Sequence, residues 1–186
     1  PAIAGELSMT ALTLSWVATS FILAAAITLI PLGRLADIYG RRRIFIYGAL
    51  IFTIASSFCI WSPTQFFLIA ARTLQGIGGA MIFSTGTAML ISAFAPHERG
   101  KILGINITAV YVGLTVGPFI GGLLTQYLGW RYIFLFTVFL GVTIIYITMA
   151  MIEPDVSTGE NEGFDFAGSL LYGIALFAIM YGFSQL

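Results

Sequence analysis

The sequence predicts an all-α membrane protein, a polytopic helical bundle, from its composition and from the length of its apolar runs. Of its 186 residues, 59% are hydrophobic and only 9% are charged, and the mean hydropathy is +0.99. Because a soluble domain carries about 25% charged residues, this composition suits a surface that faces lipid. The apolar runs reach about 20 residues or more, the length at which a helix crosses a bilayer. Strands of a membrane barrel would be about half as long and would alternate in polarity.

The apolar runs define five complete membrane helices in chain order. We expect these helices at approximately 12–33, 44–62, 66–94, 102–128 and 132–152. The polar connections between the runs are short, so neighbouring helices should be antiparallel. Residues 1–152 would then form one helical bundle.

An acidic linker and the start of another helix are predicted after the bundle. Residues 153–166 carry five carboxylates and no cation, with the glycine and serine content of a flexible connector. Residues 167–186 begin a further apolar helix. Because the chain does not start with Met and stops inside this run, we expect it to be a fragment of a longer protein.

The distribution of cations predicts which side of the membrane each connection faces. Residues 33–43 read GRLADIYGRRR, with four arginines and one aspartate. Arg99 and Lys101 lie in a connection that falls on the same side, whereas the opposite side has only Arg131. The side richer in Lys and Arg is normally cytoplasmic, so we expect 34–43, 95–101 and the linker 153–166 on that side. The acidic linker does not change this prediction, because carboxylates contribute little to the rule.

The third predicted helix carries a charge inside the membrane. A charge at the centre of a span costs at least about 2.5–3.5 kcal/mol and normally faces a wet cavity or a partner, although Arg72 lies near enough to the helix end to reach the headgroups. The polar and small residues at helical spacing after it suit a cavity wall or a close helix contact. With Asn106 of the next helix, the predicted proton or substrate cavity comprises Arg72, Gln75, Gly76, Gly79 and Asn106.

The fourth predicted helix has a glycine face. Glycines at four-residue spacing let another helix approach closely, and a proline inside a helix removes a hydrogen bond and bends it. Ordinary helix packing is enough to explain one pair of glycines at this spacing, whereas the full pattern of four glycines and a proline is more specific. Its residues are Gly113, Gly117, Pro118, Gly121 and Gly122.

Several classes of function are disfavoured by the sequence. The net charge is zero, so no nucleic-acid partner is expected. No complete predicted span has a carboxylate in its interior, and we find no metal-ligand cluster, phosphate-binding loop or catalytic triad, so we expect no enzyme, metal or cofactor. The single cysteine, Cys59, lies in an apolar run and is expected to be a structural thiol.

These motifs resemble those of the major facilitator superfamily, and more narrowly its drug:proton antiporter branch with fourteen membrane helices. Residues 33–42 are similar to the signature between helices two and three, with Ile38 where the family usually has a cation. Residues 72–80 (RTLQGIGGA) resemble the helix-four signature, and 113–122 the helix-five signature associated with antiporters. Three shorter stretches resemble the start of helix two, the turn into helix six and the entry to helix seven, at 15–21, 130–134 and 164–168.

The resemblance implies the N-terminal half of this fold, lacking helix one and ending in helix seven. In such transporters two six-helix bundles rock about a site near the bilayer midplane. The resemblance also implies a cytoplasmic latch, in which an aspartate pairs with an arginine and receives a helix N-terminus from the other half. Its residues here would be Gly33, Asp37, Gly40, Arg41 and Arg42.

The function implied is proton-coupled export of amphipathic organic compounds or drugs at the cell membrane, with the proton gradient as energy source and no cofactor. The expected partners are the lipid bilayer, protons, a small-molecule substrate and the C-terminal half of the same protein. Alternatives are an exporter of a specific metabolite, such as an amino acid or siderophore, and a non-transporting membrane scaffold or receptor.

Overall fold

The computed structural model describes residues 2–152 and 164–184, and within these ranges it contains helices and no strand. The helices are α1 (Ala2–Glu6), α2 (Ala11–Tyr39), α3 (Arg41–Ile60), α4 (Gln65–Ser92), α5 (Arg99–Tyr127), α6 (Arg131–Met151) and α7 (Phe166–Ser184). Helices α2 to α6 are long and apolar enough to cross a membrane. The predicted all-α membrane bundle is therefore confirmed. Most of the predicted linker, 153–163, and residues 185–186 lie outside the described residues.

The largest difference from the predicted helix bounds is at the cationic segment. Helix α2 runs on to Tyr39 and α3 begins at Arg41, so a single residue, Gly40, separates them. Gly40 has a φ of 100°, a left-handed conformation that glycine adopts without steric cost. Residues 34–36 are good helix formers, and α2 continues through Pro31 and Gly33 to this break. The four arginines of the predicted loop thus lie on helix ends.

Helix α4 is the centre of the bundle and packs closely against α2 and α3. A Cβ atom added at Gly76 would clash with the backbone oxygen of Phe21 in α2. One added at Gly78 would lie 2.6 Å from the backbone nitrogen of Phe52 in α3. Small residues thus let three backbones approach closely, as is common in membrane bundles.

Helix α5 is the exception, because none of its residues is buried. A Cβ atom added on its glycine face would meet no atom of the described residues within 4 Å, as is found at Gly113, Gly117, Gly121 and Gly122. The described part of the chain therefore supplies no helix for this face. The predicted close approach of another helix stays a prediction.

The connections group at two ends of the bundle. At one end the Arg131 Nε atom donates to the backbone oxygen of Ile60, 2.9 Å away, which joins the turns before α4 and α6. At the other end an Arg42 nitrogen, Nη2, donates to the backbone oxygen of Met149 at 3.2 Å, which joins the start of α3 to the end of α6. Successive connections of antiparallel helices alternate between the two sides of the membrane, and the connections expected on one side do lie at the same end of the bundle. Which end is cytoplasmic stays a prediction.

Candidate functional site

Arg72 lies about two turns inside α4 and is held against α2. Its Nε atom donates to the backbone oxygen of Val17 at 3.1 Å, and its Nη1 atom donates to Gln75 Oε1 at 2.6 Å. The guanidinium also lies over the ring of Phe21, 4.4 Å from its centroid, an arrangement in which a cation is attracted to the ring face. Two hydrogen bonds and one ring contact therefore fix the charged group.

Gln75 extends this hydrogen-bond network to a third helix. Its side chain is 2% exposed, and its Nε2 atom donates to Ser56 Oγ on α3 at 2.8 Å. Ser56 is completely buried, and its hydroxyl donates to the backbone oxygen of Phe52 at 2.7 Å. Ser56 could not be predicted from the sequence, because a serine inside an apolar helix has no distinguishing pattern until the packing places it beside Gln75.

The predicted cavity face of α4 divides into two parts. At Gly76 the face is in tight contact with α2, so this position is a helix contact rather than a cavity wall. One turn further, Gly79 and Phe83 border an open apolar cavity of about 350 Å³ beside Phe21 and Leu29 of α2.

The third nitrogen of the Arg72 guanidinium is not engaged in the same way. Among the described residues, Nη2 of Arg72 has no hydrogen-bond acceptor.

Asn106 does not lie with Arg72, contrary to the predicted grouping. It borders a separate cavity of about 510 Å³ with Gly86 and Met89 of α4 and Met151 of α6. Arg72 and Met89 are about five turns apart on α4, or about 25 Å. Because α5 is antiparallel to α4 and Asn106 lies near its start, Asn106 meets the opposite end of α4.

The predicted latch residues lie at the end of the bundle where α2 meets α3. Arg41 donates from Nε to Asp37 Oδ1 at 3.0 Å, and its Nη2 atom is 2.9 Å from the same oxygen. Gly33 faces Ser84 of α4, where an added Cβ would be 3.5 Å from the serine Cβ, and Arg42 reaches α6. The structure thus brings Asp37 and Arg41 together, and its described residues contain no contact to a second half.

A second charged cluster, which was not predicted from the sequence, lies at the opposite end. Glu6 of α1 forms an ion pair with Arg131 and accepts a hydrogen bond from Trp130 Nε1 at 2.7 Å. The hydrogen bond from Arg131, and to a smaller extent the one from Trp130, holds the pKa of the Glu6 carboxyl below its ordinary value. Arg131 also lies over the Trp130 ring at 4.4 Å. The cluster ties α1 to the start of α6.

The fold and these contacts define a multi-pass helical membrane protein with a fixed cation inside one span. The whole sequence, residues 1–186, matches the family model described as Major Facilitator Superfamily, and the chain belongs to that family.

Curated relatives cover the whole chain or most of it. A riboflavin transporter, RibZ, of Clostridioides difficile is 30% identical over 185 residues, which are 100% of this chain and 41% of the relative. A multidrug resistance protein, Stp, of Mycobacterium tuberculosis is 34% identical over 169 residues, 90% of this chain and 31% of the relative. A probable actinorhodin transporter of Streptomyces coelicolor is 32% identical over 189 residues, 100% of this chain and 32% of the relative. The chain thus spans less than half the length of each relative.

Proposed function

We propose that the whole protein exports amphipathic organic compounds, drugs among them, across the cell membrane in exchange for protons, by alternating access. The observation that carries this proposal is the Arg72 guanidinium, which is fixed inside a membrane-spanning helix by Val17 and Gln75. A charge in a membrane span is costly and usually marks a substrate, ion or proton pathway.

The chemistry of Arg72 supports proton coupling. A cation beside a carboxyl group favours the ionised form and lowers the pKa of that acid. The planar guanidinium also binds a carboxylate through two parallel hydrogen bonds. If a carboxylate from another part of the protein and a polar group of the substrate compete for the open Arg72 nitrogen, protonation of the acid would release Arg72 to the substrate. Binding of proton and substrate would thereby be coupled.

The pair of Asp37 and Arg41 supports alternating access. Both contacts from Arg41 end on Oδ1, and Oδ2 accepts no hydrogen bond from the described residues. That oxygen could receive the N-terminus of a helix from another part of the protein, where a negative charge is stabilised by about 0.3–1 kcal/mol when exposed. An energy of this size biases an equilibrium between two conformations without abolishing either.

The names of relatives favour a small organic substrate, and they leave one second candidate. Multidrug resistance and actinorhodin transport are the descriptions of two relatives, which supports export of amphipathic compounds. The description of a third as a riboflavin transporter favours instead a transporter of one specific metabolite.

A transport assay on the whole protein distinguishes these functions. The purified protein would be placed in proteoliposomes with an imposed pH gradient, and the movement of a fluorescent lipophilic cation and of riboflavin would be followed. We expect gradient-driven movement of the lipophilic cation that collapses when an uncoupler is added. Movement of riboflavin alone would favour the second candidate. Movement of the lipophilic cation that persists after the gradient is collapsed would contradict proton coupling.

A further inference from the structure

We propose that Ser56 of α3 is a positioning residue that sets the orientation of the Arg72 guanidinium through Gln75. This inference rests on the proposed role of Arg72 in coupling and adds a residue from a third helix. The three side chains form a continuous series of hydrogen bonds, with 2.6 Å between Arg72 Nη1 and Gln75 Oε1 and 2.8 Å between Gln75 Nε2 and Ser56 Oγ.

The direction of these hydrogen bonds is fixed at both ends of the series. The Ser56 hydroxyl has one proton, which it donates to the backbone oxygen of Phe52 at 2.7 Å. Its oxygen can therefore only accept from Gln75, so the NH₂ group of the amide must face Ser56. The amide oxygen then has to face Arg72. Arg72 has only donors and requires the same orientation, so Ser56, which never contacts Arg72, holds the amide in the position that the cation needs.

Loss of the Ser56 hydroxyl would remove this support. The Gln75 NH₂ group would be left without its acceptor at a site where the side chain is 2% exposed. Because Arg72 offers only donors, the NH₂ group could not turn towards it, and the amide would shift to reach another acceptor, which would lengthen or bend its bond to Nη1. Arg72 would keep its bond to Val17 but would lose the second fixed point of its plane.

The orientation of the plane decides where the remaining donors point. With Nε and Nη1 both engaged, the open Nη2 atom of Arg72 is held in one direction. A guanidinium gains specificity over a lysine ammonium only when this planar geometry is fixed. Ser56 would therefore act on the pH dependence of transport and on the reactivity of Arg72, and not only on the stability of the bundle.

Ser57 provides a matched control on the same helix. Its hydroxyl donates to the backbone oxygen of Thr53 at 3.1 Å, which is the same type of bond that Ser56 makes to Phe52. Within the described residues it bonds no other side chain. Ser57→Ala thus removes an equivalent helix hydroxyl without touching Gln75, and Ser56→Thr restores a hydroxyl at the tested position.

The experiment compares these variants in the whole protein by two measurements. The first is the pH profile of transport, and the second is the rate at which phenylglyoxal modifies Arg72, mapped by peptide mass spectrometry in detergent. For Ser56→Ala we expect a fall in transport of about tenfold, a shifted pH profile and faster modification of Arg72. Ser57→Ala should match the wild type, and Ser56→Thr should recover the wild-type profile at least in part.

A double variant tests whether Ser56 acts through Gln75. Gln75→Met keeps the length of the side chain but removes both the oxygen and the NH₂ group of the amide. Adding Ser56→Ala to this variant should therefore change neither the pH profile nor the modification rate of Arg72 any further. A Ser56→Ala protein that is less stable but has an unchanged pH profile and unchanged Arg72 reactivity would overturn the inference. If the wild type shows no proton-coupled transport, the proposed function fails, and the reactivity of Arg72 still decides the role of Ser56.

Discussion

Asp37 and Arg41 face each other across Gly40, and both contacts between them end on the same carboxylate oxygen, at 3.0 and 2.9 Å. The pair spans the break between α2 and α3, so it holds together two helix ends that only one residue separates. Both side chains are more than a third exposed, and such a pair alone contributes little to stability. We therefore expect the Asp37 Oδ2 atom, which accepts no hydrogen bond from the described residues, to matter more for contacts with another part of the protein than for folding.

Asp37→Asn is expected to impair transport with little effect on membrane insertion. The amide keeps the shape of the side chain but removes the charge that would bind a helix N-terminus, and a hydrogen bond to a charged group is worth about 1.5–3 kcal/mol. We expect transport to fall by about tenfold or more at equal expression. Arg43→Gln, which removes an exposed charge six residues away at the start of α3, is the control and should retain activity. Wild-type transport by Asp37→Asn would exclude the latch.

The two ends of the bundle should be accessible from opposite sides of the membrane. Single cysteines at Pro63 and Gly100, both exposed, would be placed in a Cys59→Ala background. A membrane-impermeant thiol reagent should label the first from outside and the second from inside, as the positive-inside rule predicts. Labelling of both from one side would refute the arrangement. Ser62 is unsuitable, because it is 1% exposed.

The ion pair of Glu6 and Arg131 should make stability depend on pH. The pKa of Glu6 is lower in the folded protein than its ordinary value of 4.5. Its contribution is therefore complete above about pH 4.5 and is lost as the pH falls through the lowered pKa. Glu6→Gln should lower the melting temperature at pH 7 and reduce the further loss seen below pH 4.5. The control Glu98→Gln, at an exposed position, should change neither the melting temperature at pH 7 nor its loss below pH 4.5. An unchanged melting temperature in Glu6→Gln would show that this ion pair does not hold α1 in place.

The two glycine faces should respond differently to added bulk. Gly76→Ala places a Cβ atom against the Phe21 backbone oxygen, with no room for it, and overpacking of this kind typically costs about 1–3 kcal/mol. It should therefore reduce the yield of folded protein in detergent. Gly117→Leu meets no described atom within 4 Å at its Cβ, so insertion should be normal. Transport by the whole protein should nevertheless fail if another helix packs there, and normal transport would argue against such a contact.

The length of the apolar runs was sufficient to predict the membrane helices, but the sequence did not predict which side chains contact one another. The membrane spans follow from apolar length, and the Asp37 segment from its local charge. The link from Ser56 to Gln75 joins residues far apart in the sequence, so it depends on how α3 and α4 pack. Asn106 was predicted to lie with Arg72, whereas the antiparallel order of α4 and α5 places it beside Gly86 and Met89, at the opposite end of α4. Tertiary packing, rather than residue type, decides both cases.

Arg72 is expected to be essential for coupling. Its guanidinium is fixed by Val17 at 3.1 Å and by Gln75 at 2.6 Å, which requires donors at two separate positions. Lysine keeps a positive charge but has no planar fork, so it cannot satisfy both acceptors in the same geometry. We expect Arg72→Lys and Arg72→Ala both to abolish proton-driven transport in proteoliposomes, while expression stays near normal. An Arg72→Lys protein that transports normally with an unshifted pH optimum would instead identify Arg72 as an anchor at the membrane interface.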